Sequence, residues 1–231
     1  MIDVAKHWNP KQAQLKIIVR NPERFGEAME LCLDMHSLVH TGEMSQAGFK
    51  TFEDFIWDGL EETVFRTLPK EEEASIAWHL WHLTRIEDIT ANILVAGEVQ
   101  VMDTGNWAGK LMVDTRDTGN AMTACEIKAF SLKIPMEALR DYRIAVGRKT
   151  RTVIKSLKQG DLKKKVAPER LQRVFDEGGV VEGSRDLLDF WGRKDVAGIL
   201  LMPITRHQII HLNAALRNKS RLGGTTVSRQ K

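Results

Sequence analysis

Near the end of the 231-residue chain, Thr205-Arg206-His207-Gln208-Ile209-Ile210-His211-Leu212 places two imidazoles four residues apart. On a helix they project from one face, one turn apart, so both can bind a single metal ion. Two imidazoles facing each other inside an apolar stripe leave acceptor nitrogens unsatisfied unless a proton or a cation lies between them. Far upstream, Trp78-His79-Leu80-Trp81-His82-Leu83 offers a third ligand, and helical spacing does not choose between His79 and His82. His36 and His40 repeat the i, i+4 pattern and are a rival pair, a pocket lining, or plain core. A lone histidine on an apolar face is more often a hydrogen-bonded core residue than a ligand.

Helices must position these side chains. Asn9-Pro10 and Asn21-Pro22 are helix starts, with Asn as cap and Pro in the first turn. The second start leads into Phe25, Met29, Cys32, Met35 or His36, and Val39, a first core helix stopped near Thr41-Gly42. Residues 42–70 read as a loop with a short helix around 51–66. Glu71-Glu72-Glu73 favour a helix N-terminus, and Ile76, Leu80, Leu83, Ile86, Ile93 and Leu94 mark a long second core helix ending at Gly97. After a turn-rich stretch over 98–120, with a short helical turn around Trp107–Met112, the third core helix is expected through Ile127 and Phe130. It restarts or kinks at Ile134-Pro135 and continues by Leu139, Tyr142, Val146 and Ile154. Short amphipathic pieces follow at 171–175 and 184–191. The last core helix reads Val196, Leu200, Pro203, His207, Ile210 and Ala214, bent by Pro203 just before the histidines. With no period-2 run and no repeat, the fold expected is an all-α four-helix bundle with additional short helices and long loops. It forms one domain over 1–217, with a flexible tail from Asn218 to Lys231.

The run Ser75-Ile76-Ala77-Trp78-His79-Leu80-Trp81-His82-Leu83-Thr84-Arg85-Ile86-Glu87-Asp88, followed much later by Arg206-His207-Gln208-Ile209-Ile210-His211-Leu212, resembles the DinB-like superfamily. That family comprises damage-inducible bacterial proteins and metal-dependent thiol transferases. The resemblance covers most of the chain in helix order and rests on three residues and a spacing. It implies that His82 joins His207 and His211 as metal ligands, in a cytoplasmic bundle that is often a homodimer. The sequence departs from the family pattern in Pro203 and in long insertions at 42–70 and 159–190.

Three neutral imidazoles leave a divalent ion its full charge and at least one open position, as in a catalytic site. Such an ion lowers the pKa of bound water to about 7 or holds a thiolate, so hydrolysis and thiol S-transfer are both chemically open. Imidazole favours the borderline metals zinc and nickel, with iron and manganese also compatible. Glu87, Asp88 and Glu126 are the nearest general acid or base residues by helical position, although such charges more often form a solvated face. Trp78, Trp81, Trp107 and Trp191 are core by default and pocket walls otherwise.

The reading is therefore a metal-dependent thiol S-transferase or hydrolase acting on a small molecule, for instance a low-molecular-weight thiol. A non-catalytic metal or small-ligand binding protein of the same fold is the alternative. The 34 basic and 31 acidic residues balance to a net +3, and the basic runs 148–151 and 163–165 lack interleaved aromatics, which argues against nucleic acid. The absence of any membrane-length apolar segment argues against a membrane. Cys32 and Cys125 lie among apolar neighbours and are expected as buried free thiols of a reducing cytosol.

Overall fold

In the computed structural model, the backbone is described for residues 4–69 and 74–227, and side chains as far as 223. Among these residues there is no strand; Lys165 and Asp195 form an isolated bridge. The chain begins with α1 (Val4–His7) and α2 (Asn9–Ile18), then a 3₁₀ turn at Pro22–Arg24 capped by Asn21, whose side chain accepts from the Glu23 amide. α3 (Phe25–Leu38) follows directly. The stretch over 42–50 expected as loop holds α4 (Gly42–Ser45), and the one short helix expected over 51–66 is instead two, α5 (Asp54–Trp57) and α6 (Glu62–Arg66). Glu71 to Glu73 lie outside the described residues.

The second long helix is α7 (Ile76–Asp88), capped by Ser75, whose hydroxyl accepts the Trp78 amide at 3.0 Å. It continues as a π-helix over Ile89–Ala96 and stops at Gly97, whose φ of +73° suits a residue without a Cβ. α8 (Trp107–Leu111) interrupts the following loop. The third core segment is two helices, α9 (Ala124–Lys133) and α10 (Met136–Ser156), because Ile134 and Pro135 are both extended. The proline is thus a restart rather than a kink. α11 (Pro168–Asp176) and α12 (Asp186–Gly192) precede α13 (Val196–Leu201), a π-helical stretch at Met202–Arg206, and α14 (His207–Val227).

Four long segments form the bundle: α3, α7 with its π-helical end, α10, and α13 to α14. α7 packs on both α10 and α14, and α10 also touches α3. Leu80, Leu83, Leu139, Val146, Ile154, Leu200, Ile204 and Leu212 meet in one core, each fully buried. α14 runs past Asn218, contrary to the expected flexible tail from that residue. Asn218 is buried and donates from Nδ2 to the Ala74 carbonyl at 2.8 Å, and Leu222 packs on the core. Residues 228–231 of that expected tail lie outside the described residues. Cys125 is exposed and Cys32 buried, so the expectation of two buried thiols holds for Cys32 alone.

The bend expected at Pro203 is accommodated by the π-helix. Thr205 Oγ1 donates to the Leu200 and Leu201 carbonyls at 2.8 and 3.1 Å, and Gln208 Nε2 donates to the Pro203 and Leu83 carbonyls at 3.3 and 3.1 Å. Side chains thereby add hydrogen bonds around the widened turn and tie it to α7. The wider turn also moves the buried face along by one position. Ile209 and Leu212 are buried, whereas Ile210, expected in the apolar stripe, is 46% exposed.

Candidate metal centre

His82, His207 and His211 each place a ring nitrogen within 4.8 Å of the others. His82 Nε2 and His207 Nε2 are 3.1 Å apart, and the His207 and His211 ring centres are 4.5 Å apart. The second-helix alternatives separate here. His82 meets His207, while His79 Nδ1 lies 3.0 Å from His211 Nδ1. Both histidines thus reach the centre, one facing the other imidazoles and one bracing His211 from the side.

The His82 ring is held from two directions. Its Nδ1 donates to the Thr118 carbonyl at 2.8 Å, which leaves Nε2 bare, and Trp78 stacks on it with ring centres 4.6 Å apart and 7° between planes. The Thr118 contact belongs to a ladder. Arg85 Nε, Trp81 Nε1, His82 Nδ1 and Trp78 Nε1 donate in turn to the carbonyls of Arg116, Asp117, Thr118 and Gly119, at 2.8, 3.1, 2.8 and 3.3 Å. Four side chains of α7 thereby fix an irregular loop against the helix. Gly119 takes φ +76°, and a Cβ there would lie 2.9 Å from Trp78 Nε1.

Burial makes every imidazole of the group a weak base. It pulls His82 and His79 down to about 4 and His207 to about 3, and it lowers His211 further with help from the His207, His82 and His79 charges. Neutral imidazoles with converging lone pairs repel one another, and a cation among them removes the conflict. His207 Nδ1 is buried with no hydrogen-bond partner. The donor set suits a borderline divalent ion.

A cavity of about 430 Å³ opens beside His82 and His207. Ile86, Leu187, Phe190 and Met202 give it apolar walls, and Asn120, Asp186, Asp189 and Arg193 give it polar ones. These polar residues escaped the sequence reading. The only available signal was the i, i+3 spacing of Asp186 and Asp189 on a short helix, which does not reveal what that helix covers. Among the tryptophans, Trp191 lines the cavity and Trp78 stacks on His82, whereas Trp81 is buried in the core and Trp107 packs on Tyr142.

The acid or base residues expected from helical position are all engaged elsewhere. Glu87 binds His36 and His40. Asp88 is buried with Arg85, Tyr142 and the Val101 and Met102 amides. Glu126 caps α9 through Thr123. His36 and His40 therefore belong to the interior of the bundle, away from the three-histidine group.

The chain belongs to the DinB superfamily, whose family model matches residues 52–214, more than half of its length. Among solved structures, the crystal structure of a conserved protein from Enterococcus faecalis superposes with a TM-score of 0.57 at 18% identity. The match covers 84% of this chain and 96% of that one, and at this identity it is a likeness of fold. No curated protein matches. No helix among the described residues is long and apolar enough to cross a membrane.

Proposed function

We propose that this chain is a metal-dependent enzyme of the thiol S-transferase or hydrolase type, with His82, His207 and His211 as the ligands of one divalent ion, zinc or nickel before iron or manganese. The observation that carries the reading is the cavity. Two of the three imidazoles form part of the wall of a space large enough for a small molecule, so an ion held there would face a ligand rather than packed side chains. Bound at that position, a divalent ion supplies Lewis acidity, a water of pKa about 7, or a docking point for a thiolate.

The remaining roles fall to residues of this chain. The Thr118 carbonyl fixes the His82 tautomer, and His79 braces His211. Asp186 and Asp189 are the carboxylates in the cavity that can accept a proton, and Arg193 can pair with an anionic group of the ligand. The apolar wall excludes water from the rest of the ligand. The reading includes a cytoplasmic homodimer, checked by light-scattering mass in solution.

The test is metal analysis of the purified protein beside His82→Ala and His207→Ala, followed by thiol-conjugation and ester- or amide-hydrolysis assays with the metal-loaded protein. One equivalent of metal lost in both variants, together with turnover that disappears with it, is the expected result. Metal content equal in all three proteins would overturn the ligand set. Tight metal and small-molecule binding without turnover would replace the enzyme by a binding protein of the same fold.

A further inference from the structure

A second group of metal-ligating side chains is closed inside the bundle. His36 and His40 stand one turn apart on α3, and Glu87 reaches both from α7. His36 Nε2 lies 2.8 Å from Glu87 Oε1, and His40 Nε2 lies 3.1 and 2.9 Å from Oε1 and Oε2. All three residues are fully buried, and none lines the cavity beside His82. On the other side of the His40 ring, Nδ1 is 3.9 Å from Glu53 Oε2, and Glu53 is paired with Arg143 Nε at 2.8 Å.

We infer that His36, His40 and Glu87 form a second, structural metal site that takes one divalent ion of the zinc type. Their three ligand atoms lie within 4.8 Å of one another, and two imidazoles with a carboxylate are a common donor set for such an ion. Two observations favour a cation here over plain hydrogen bonds. First, Nδ1 of His40 is buried without a hydrogen-bond partner and faces a carboxylate. If both rings were neutral and donated to Glu87 from Nε2, each Nδ1 would be a bare acceptor, and that of His40 would turn its lone pair toward the Glu53 carboxylate. With an ion on the Nε2 lone pairs, Nδ1 carries the hydrogen and His40 turns it toward Glu53, a favourable charge contact at 3.9 Å rather than a hydrogen bond. Second, among the described residues the ion pairs of the Glu87 carboxylate are with His36 and His40 alone, in a region closed to water.

This site has no open side, so its role is to tie α3 to α7 rather than to meet a substrate. Gly147 of α10 makes room for it, since a Cβ at that position would lie 2.7 Å from His40 Nδ1. The inference stands independently of the three-histidine centre.

The experiment is zinc stoichiometry by elemental analysis after equilibrium dialysis of the full chain, with zinc alone as the probe. Wild type should bind two equivalents. A variant with His82, His207 and His211 all replaced by Ala should keep one, and adding Glu87→Gln should abolish it. The retained ion should also raise the thermal midpoint of the triple variant, and chelator should reverse that rise. Wild type saturating at one equivalent overturns the inference if the triple variant loses that equivalent, whereas an equivalent kept by the triple variant places the ion in the closed site. A triple variant that binds no zinc overturns it in every case, and a proton shared among His36, His40 and Glu87 then holds the cluster. An equivalent that survives Glu87→Gln also overturns it.

Discussion

His82 Nδ1 donates to the Thr118 carbonyl at 2.8 Å, so the orientation of an imidazole in the candidate metal centre is set by a loop with no regular structure of its own. That loop holds its course because Arg85, Trp81 and Trp78 bind the neighbouring carbonyls. The weak point of the ladder is Gly119, where positive φ and the nearby Trp78 ring both exclude a side chain. Gly119→Ala should cost about 1–3 kcal/mol of stability. It should also weaken metal binding through His82. Urea unfolding and zinc titration measure the two effects separately, and wild-type values in both would show that the loop does not set the ring.

His79→Phe tests the bracing of His211. Outer-shell partners of ligating histidines typically contribute about 10–100-fold in metal affinity, and a loss in that range is expected here. The unfolding midpoint of the metal-free protein should move little, because His79 sits at the edge of the group and Phe fills a similar space. Unchanged zinc affinity would mean that the 3.0 Å contact between His79 and His211 has no orienting role.

The depressed basicity of the group has a consequence for acid stability. His79 and His82 titrate at about 4 and His207 at about 3 in the fold, against an ordinary 6.5. Between those values the unfolded chain binds protons that the folded chain does not, so folding is favoured most above 6.5 and loses ground as pH falls toward 4 and then 3. Urea midpoints of chelator-treated protein should therefore drop steadily from about pH 7 to about pH 4.5. Replacing His82 and His207 by Gln should flatten the decline. A slope identical in the two proteins would assign the acid sensitivity to other groups.

Thr205→Val keeps the volume of the side chain and removes the hydroxyl that serves the Leu200 and Leu201 carbonyls. The expected loss is about 1–3 kcal/mol, since the Leu200 carbonyl is then left without that partner inside the core. Thermal or urea unfolding reads it directly. A neutral substitution would show that the backbone relaxes back toward an ordinary helix around Pro203.

Much of the fold could be read from apolar spacing. Met29, Cys32 and Met35 on one helix, Ile76, Leu80 and Leu83 on another, and Leu139, Tyr142 and Val146 on a third are all buried where the 3.6-residue period puts them. The period failed at Ile210, because the π-helical stretch at Met202–Arg206 intervenes and a sequence period assumes a constant turn. It could not order His79 and His82 either, since the two straddle the edge of the stripe and both reach the histidine group. Glu87 looked like a candidate acid or base on a helix face, and only the packing of α3 against α7 reveals it as the partner of His36 and His40. Asp186, Asp189 and Arg193 were invisible for the same reason, being placed by how α12 folds over the bundle.

The π-helical stretch at Met202–Arg206 holds one residue more per turn than the α-helices on either side. Were the same residues to close into an ordinary α-helix with none deleted, everything beyond them would turn by about 100° relative to α13. His207 and His211 would then swing out of the group they share with His82, in a segment whose backbone hydrogen bonding had become more regular. The final helix thus keeps its histidines gathered by remaining locally overwide, and a better-formed helix of the same sequence would part them.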